Sequence, residues 1–188
     1  MRTMYARHLH CVAMRGVAVE FTGWASVRRL HCGDALRAPM SPDPGRPQFR
    51  VRPARRGDAE ALASLLNELG YPGAADQATV HWVISHPEIE VFVAGDPHDR
   101  PIGMISFSHR PQLRALGRVA RIEELIVTAP WRRKGVGREL VKRVLDRARV
   151  LSVKQVEVVT HRGRADFARE FYRACGFVEV DAAVLRLS

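Results

Sequence analysis

The sequence predicts an α/β fold in which a mixed β-sheet of about six to seven strands is flanked by about four helices. Segments with strand-like alternation and segments with helical spacing follow one another in the order β, α, α, β, β, β, α, β, α, β. A helical segment over residues 135–150 separates two β-rich segments, which predicts a parallel crossover. A turn-rich segment over residues 95–101 separates two other β-rich segments, which predicts a hairpin.

The first elements are a strand and two helices. Residues 49–53 alternate between apolar and basic side chains and predict a short strand. The first helix is predicted to begin near Asp58 and to end at Gly70, because glycine readily adopts the left-handed conformation that follows many helices. Its apolar residues recur at helical spacing and are Ala61, Leu62, Leu65, Leu66 and Leu69. A second helix over residues 75–85 stops before Pro87.

The later elements alternate between strands and helices. A helix that opens near Gly135 is predicted from an apolar stripe of Leu140, Val141, Val144, Leu145 and Ala148. A last helix over about residues 165–175 ends at Gly176. The predicted strands after the second helix cover residues 90–94, 102–108, 120–128, 153–160, 177–180 and 183–187.

The first 47 residues differ in composition from the rest of the chain. They are rich in arginine and poor in acidic residues, and they close on the proline-rich stretch from Ser41 to Pro47, which is typical of a linker. We expect residues 1–47 to be a disordered extension, or sequence upstream of a start at Met40, and residues 48–188 to form one domain. An arginine-rich, acid-poor N-terminus is also typical of a transit peptide, which is the remaining alternative.

Composition restricts the partners and the compartment. The formal net charge of +10 suggests a polyanionic partner, but the basic residues are spread over the whole chain, so nucleic acid is only a minor alternative. Three cysteines without a Cys-x-x-Cys pair predict neither a disulfide framework nor a zinc site, which fits a cytoplasmic protein without a metal. No stretch reaches the roughly 18 apolar residues of a membrane span, so no membrane partner is expected.

The most informative motif lies over residues 127–137. A β-rich segment runs into a turn that contains Gly135 and Gly137 and opens a helix. Free backbone N–H groups and the positive end of the helix dipole bind anions at such a helix start. Three basic side chains add charge, namely Arg132, Arg133 and Lys134. Neither GxxxxGK[ST] nor GxGxxG is matched, so the segment predicts an anion site other than these nucleotide loops, or a basic turn that only caps a surface helix.

On these residues the chain resembles the GNAT superfamily of N-acetyltransferases, over nearly all of the sequence that follows the linker. The family's signature is Arg or Gln, two residues, Gly, one residue, then Gly or Ala, and it is met by Arg132, Gly135 and Gly137. The segment Ile122–Val127 resembles the family's central strand. The segment Ala168–Phe177 resembles its helix that ends in Phe-Tyr and then Gly-Phe. Two signatures about 40 residues apart in the right order are more specific than either one.

The resemblance implies acetyl-CoA as co-substrate. The pyrophosphate would be held by a run of seven residues, Arg132, Arg133, Lys134, Gly135, Val136, Gly137 and Arg138. The strand edge formed by Leu125, Ile126 and Val127 would pair with the pantetheine arm as an added strand does, because a splayed strand leaves N–H and C=O groups unpaired.

The resemblance also implies direct attack of a neutral amine on the thioester in a ternary complex. Tyr172 matches the family's acid, because a phenol with a reference pKa of about 10 stays protonated at neutral pH and can donate to the leaving thiolate. Glu123 is preferred as the base, because the family often has an acid at that place in the strand. Strand alternation sends Glu123 and Glu124 to opposite faces, so only one is expected to reach the cleft. Glu124 and His161 stay open as alternatives.

The acceptor is expected to be a primary amine of a small molecule. Acceptor contacts in the superfamily come from the first two helices and nearby loops, where Glu68 and Asp76 would suit a cationic amine and Arg110 and Arg114 an anionic one. The alternatives are acetylation of a peptide or protein N-terminus or of an aminoacyl-tRNA, and a non-catalytic acyl-CoA-binding regulatory module. By analogy with the superfamily, a homodimer is a further expectation.

Overall fold

The computed structural model describes residues 48–71, 73, 76–160, 169–182, 184–185 and 187. Its elements, in chain order, are β1 (Arg50–Pro53), α1 (Ala59–Glu68), α2 (Gln77–Ile84), β2 (Ile89–Gly95), β3 (Pro101–Gln112), β4 (Gly117–Val127), α3 (Val136–Val150), β5 (Val153–Val158) and α4 (Arg169–Ala174). No helix in this part of the chain is long and apolar enough to cross a membrane. The predicted boundary near residue 47 stays a prediction, because the preceding residues lie outside the described part.

The strands form one sheet in the order β1-β2-β3-β4-β5. The first four pair antiparallel, whereas β4 and β5 pair parallel across the α3 connection. The mixed sheet, the hairpin of β2 and β3 and the parallel crossover are therefore confirmed. The sheet is smaller than predicted, because the described residues after α4 contain no strand. Val178, Val180 and Leu185 are exposed there, so their apolar character does not report a packed strand face.

Two apolar clusters lie on opposite faces of the sheet. On one face, α3 buries Val136, Leu140, Val141 and Val144 against the strands. On the other face, α1 and α2 bury Leu62, Leu65 and Val80 against Val91, Val93, Met104 and Ile126. The helical stripes predicted for α1 and α3 are thus confirmed, since their residues at helical spacing are those that meet the sheet.

An ion pair joins the start of α1 to β1. The Arg52 guanidinium donates from both terminal nitrogens to the Asp58 carboxylate, at 2.7 and 2.9 Å. The Arg55 backbone amide donates to the same carboxylate at 2.7 Å, and Arg52 Nε donates to Asp99 Oδ1 at 2.7 Å. Burial opposes ionisation of Asp58, but these hydrogen bonds outweigh it and lower the pKa of the carboxyl.

At the other end of α1, Gly70 has the expected left-handed conformation, with φ of 97°.

Candidate active site

A β-bulge interrupts β4 where the two glutamates lie. Ser106 of β3 faces Glu124, whereas the next residue, Phe107, faces Ile122, so Glu123 is an extra residue without its own partner. A bulge bends its strand and increases the local twist. The pairing of β4 with β5 also ends here, at Ile122 opposite Val158. From Glu123 onward, β4 therefore has a β3 neighbour on one side and, on the other, an edge that no described strand pairs with.

The unpaired edge offers backbone groups for a ligand. The Thr128 amide donates to Ile102 O of β3 at 2.9 Å. Because the direction of backbone groups alternates along a strand, Ile126 also faces β3, while Leu125 and Val127 face away from it. Arg132 Nε donates to Val127 O at 2.9 Å, which agrees with this direction. Leu125 and Val127 thus direct their backbone groups away from β3, whereas Ile126 directs its own toward β3 and has its side chain buried beneath α1 and α2. Pairing of this edge with the pantetheine arm stays a prediction.

The turn that follows β4 presents a run of free amides at the start of α3. Arg133 and Gly135 adopt positive φ values of 61° and 87°. The first helical amide with an acceptor is that of Glu139, which donates to Gly135 O at 3.1 Å. The amides of residues 133–138 donate to no acceptor within the described ranges. Six consecutive amides at the positive end of a 15-residue helix form an anion site that depends little on side chains.

The basic side chains of this turn have different surroundings. Lys134 Nζ lies 5.3 Å from the centre of the Trp131 ring. Arg132 pairs with Glu68 at the end of α1, at 3.0 Å. Glu68 Oε1 also accepts the Ala129 amide at 3.1 Å. Glu68, which the sequence suggested for a cationic acceptor, therefore binds the turn before α3 instead.

The α4 helix packs against the start of α3. An ideal Cβ on Gly137 would lie 3.4 Å from the Phe171 ring, so glycine lets the two helices approach. Tyr172 follows Phe171 and lies half-buried, with its ring 5.1 Å from that of Phe171 and 5.8 Å from that of Phe177. Burial raises the pKa of Tyr172, and the nearby Cys175 thiol adds to the shift. The Tyr172 hydroxyl has no hydrogen-bond partner in the part of the chain that the structure describes.

The two glutamates lie on one face of the sheet. Ser106 Oγ donates to Glu124, and Ser108 Oγ donates to Glu123 Oε1 at 2.6 Å. Ser106 and Ser108 are two residues apart on β3 and so share a face. The prediction that Glu123 and Glu124 point to opposite faces of the sheet is therefore wrong, because strict alternation of side chains fails at a bulge.

The glutamates differ in solvation. Glu123 is exposed, whereas Glu124 is half-buried. Burial raises the pKa of Glu124; the hydrogen bond from Ser106 opposes the shift, and the charge of Glu123 adds to it. Sequence reasoning missed Ser106 and Ser108, since their role depends on the register of β3. The third candidate base, His161, lies outside the described residues.

Together these features supply four chemical capacities. The amide run can hold a polyanion, and the strand edge can pair with an amide-containing arm. Because the pKa of the half-buried Glu124 is raised, its carboxylate can accept a proton at a higher pH than an ordinary carboxylate does. The phenol of Tyr172 stays protonated at neutral pH and can donate a proton. The groups that supply these capacities, except Tyr172, lie on β4 or on the turn that leads from β4 into α3.

Comparisons with known proteins concern the family profile and the fold. The sequence profile of the Acetyltransferase (GNAT) family matches residues 59–177. A search of curated proteins found no match to the chain. Among solved structures, glucosamine-6-phosphate N-acetyltransferase from Arabidopsis thaliana is similar with a TM-score of 0.65 and 18% identity, over 74% of this chain and 98% of that one.

Two further structures have the same fold. Ribosomal-protein-alanine N-acetyltransferase from Brucella melitensis biovar Abortus 2308 has a TM-score of 0.63 and 17% identity, over 75% of this chain and 100% of that one. An aminoglycoside acetyltransferase from an uncultured soil metagenomic sample has a TM-score of 0.64 and 18% identity, over 74% and 95%. At these identities the similarity concerns the fold.

Proposed function

Because the chain belongs to the GNAT family of acetyltransferases, whose co-substrate is acetyl-CoA, we propose that it transfers an acetyl group to a primary amine of a small molecule. The observation that carries the proposal is the continuity of β4 with the start of α3. One segment supplies the carboxylates, the open strand edge and the run of free amides. Such a segment can hold a thioester and deprotonate an amine beside it.

The proposed cofactor site follows from the backbone. The amides of residues 133–138 bind the pyrophosphate of acetyl-CoA, and the side chains of Arg133 and Arg138 add charge at its rim. Leu125 pairs with the pantetheine arm through its outward N–H and C=O groups and Val127 through its outward N–H, because the Val127 carbonyl already accepts from Arg132 Nε. Val136, which is 1% exposed, anchors the start of α3 in the core and keeps the amides in place.

In the proposed reaction the amine nitrogen attacks the thioester carbonyl carbon. A C–N bond forms, the C–S bond breaks, and the products are an N-acetyl amine and coenzyme A. A base must remove a proton from the attacking nitrogen, and an acid must protonate the departing thiolate. Tyr172 is proposed as that acid, because its hydroxyl is free of other partners in the described structure and its raised pKa keeps it protonated.

Glu124 is the proposed base. The pKa of Glu124 is raised, so it lies nearer to the pKa of an ammonium group than the pKa of an exposed carboxylate does. Glu123, the residue preferred from the sequence, is exposed on the same face and is proposed to attract the ammonium form of the acceptor. It stays the alternative base, and variants at both positions discriminate the two assignments.

The small-molecule acceptor is supported by analogy. Two of the structures named above are an aminoglycoside acetyltransferase and a glucosamine-6-phosphate N-acetyltransferase, and the third is a ribosomal-protein-alanine N-acetyltransferase. All three are acetyltransferases, which supports the reaction class, and two of them are named for small molecules.

The test is thiol release from acetyl-CoA with a library of amines, for wild type, Gly135→Glu and Tyr172→Phe. We expect release with at least one amine. Gly135→Glu should abolish acetyl-CoA binding, because it adds an anion and a side chain at φ of 87°. Tyr172→Phe should lower kcat by about 100-fold with little change in acetyl-CoA binding, as expected for loss of a general acid.

Matched controls are available in the chain. Gly70→Glu adds the same charge at a glycine that also has positive φ and open space around its Cβ, and Tyr71→Phe removes a phenol from an exposed tyrosine. Both should retain acetyl-CoA binding. If no amine releases thiol, yet acetyl-CoA binds wild type and not Gly135→Glu, the cofactor site stands and the transferase proposal fails.

A further inference from the structure

A polar groove lies on the outer part of the sheet, beside the two glutamates. It has a volume of about 170 Å³, and its polar lining comprises Ser108, Arg110, Arg121, Glu123 and Glu157. Pockets for drug-sized ligands begin at about 300 Å³, so this groove suits a smaller molecule. No described helix covers it, because α1 and α2 pack on Val91, Val93, Met104 and Ile126 nearer the opposite end of this face.

The strand register explains why these side chains meet. Ser108 lies opposite Arg121, which in turn lies opposite Glu157 of β5. Directly paired residues share a face of the sheet, so the three form a row across β3, β4 and β5. Glu123 is two residues beyond Arg121 on β4 and lies on the same face, where its carboxylate accepts a hydrogen bond from the Ser108 hydroxyl at 2.6 Å. Arg110 is two residues beyond Ser108 on β3 and belongs to that face too.

The charges of the groove are unequally neutralised. Glu157 lies between two arginines, 3.7 Å from Arg114 and 3.6 Å from Arg121. In contrast, the Arg110 side chain has neither an ion pair nor a hydrogen bond with any residue that the structure describes. Glu123 has a serine partner and no cation within that same part of the chain. The groove therefore presents one unpaired cation and one unpaired anion to a ligand.

We propose that the acceptor carries an anionic group besides its amine, with the amine at Glu123 and the anion, a carboxylate or a phosphate, at Arg110. The inference rests on the proposed function and names the substrate class of that site. Two residues of strand separate Ser108 from Arg110, about 7 Å at the usual rise, which one small molecule can span. An arginine guanidinium matches both carboxylate and phosphate through two parallel hydrogen bonds.

The same charges disfavour other acceptors. A polycationic amine would place a second ammonium beside Arg110 and Arg121, and like charges in contact are repelled. A neutral amine would leave Arg110 without a counter-ion. An amine bound at Glu123 lies beside Glu124, the proposed base, so binding the anion at Arg110 also orients the amine for deprotonation.

The test compares acceptors that differ only in their second group. Butylamine, 1,4-diaminobutane, 4-aminobutyrate and 3-aminopropyl phosphate are offered to wild type, Arg110→Gln and Arg110→Lys. We expect kcat/KM to be at least about tenfold higher for an anionic amine than for butylamine, in line with a charge-assisted hydrogen bond. Arg110→Gln should remove that preference through KM, and Arg110→Lys should restore it for phosphate more than for carboxylate, since lysine acts as a point charge.

The control variant is Arg50→Gln. Arg50 is an exposed strand arginine without a described ion pair, on β1 at the opposite edge of the sheet. It should keep the wild-type preference. Equal kcat/KM for butylamine and the anionic amines, or a preference that survives Arg110→Gln, would overturn the inference and leave acetyl transfer intact.

A binding measurement separates this inference from the reaction. Calorimetric titration of 4-aminobutyrate and 3-aminopropyl phosphate, with coenzyme A present, reports on the groove without turnover. Binding of either compound that is lost in Arg110→Gln supports the anion site even if no acetyl transfer is seen. Absence of binding by both compounds overturns it.

Discussion

At the scale of single residues, the protonation of Glu124 links catalysis to stability. Burial of its carboxyl raises the pKa, so the folded protein penalises the ionised form that a base requires. The penalty is absent below the ordinary pKa of 4.5 and grows as pH rises through the raised value. We expect Glu124→Gln to raise the melting temperature at pH 8 relative to wild type, with a difference that shrinks toward pH 4.5.

The pH–rate profile of the same variant tests the base. Wild-type kcat/KM should rise with pH through the raised pKa of Glu124, and Glu124→Gln should lower kcat by at least about 100-fold, as for loss of a general base. Glu123→Gln is the control, since its carboxylate is exposed; it should change KM for the amine more than kcat. The reverse pattern, a loss of kcat only in Glu123→Gln, would assign the base to Glu123.

At the scale of elements, the contact between α3 and α4 limits what residue 137 can be. An alanine Cβ would meet the Phe171 ring at 3.4 Å, an ordinary contact, and alanine favours the helix over glycine by up to about 1 kcal/mol. Gly137→Ala should therefore keep or raise stability, in agreement with a family signature that allows Gly or Ala. Gly137→Leu should lower the free energy of unfolding by about 1–3 kcal/mol through overpacking.

Urea denaturation of both variants, with acetyl-CoA affinity measured in parallel, checks this prediction. Phe171→Ala in the Gly137→Leu background supplies the matched control, because it removes the ring that the leucine meets. If Gly137→Leu is as stable as Gly137→Ala, the close approach of the two helices is not a constraint.

Elements could be predicted where one chain segment carries its own signal. The α1 and α3 stripes followed from helical spacing, and the end of α1 from Gly70. The bulge at Glu123 could not be predicted, because it depends on how β3 and β4 pair with each other. The amino-acid composition of either strand alone does not indicate it. The pairing of Glu68 with Arg132 was missed for the same reason, since 64 residues separate them.

At the scale of the whole molecule, one guanidinium, that of Arg52, connects β1, the start of α1 and the turn between β2 and β3. The side chains of Arg52 and Asp58 are 13% and 9% exposed, and Asp99 extends the network. Removing Asp58 leaves the Arg52 guanidinium with only the more exposed Asp99 as a counter-charge, so Asp58→Ala should lower the free energy of unfolding by about 3 kcal/mol. Chemical denaturation at pH 7 measures it.

The pH dependence of this ion pair has the opposite sign to that of Glu124. Because the pKa of Asp58 is lowered on folding, its contribution is present above the ordinary value of 3.8 and is lost as pH falls through the lowered value. Asp99→Ala is the control, with a side chain that is 54% exposed, and should cost less than about 1 kcal/mol. Equal losses in the two variants would show that burial of Asp58 is not decisive.

The extra residue at Glu123 also divides β4 into two halves of opposite phase. Before it, Ala120 and Ile122 face the α3 cluster; after it, Leu125 faces that cluster and Ile126 faces the helices α1 and α2. Deleting either glutamate would restore strict alternation and would leave Leu125 and Ile126 facing the same clusters as before. Packing on the two faces of the sheet therefore does not require the extra residue, and its effect is to place a second carboxylate beside the first on one face.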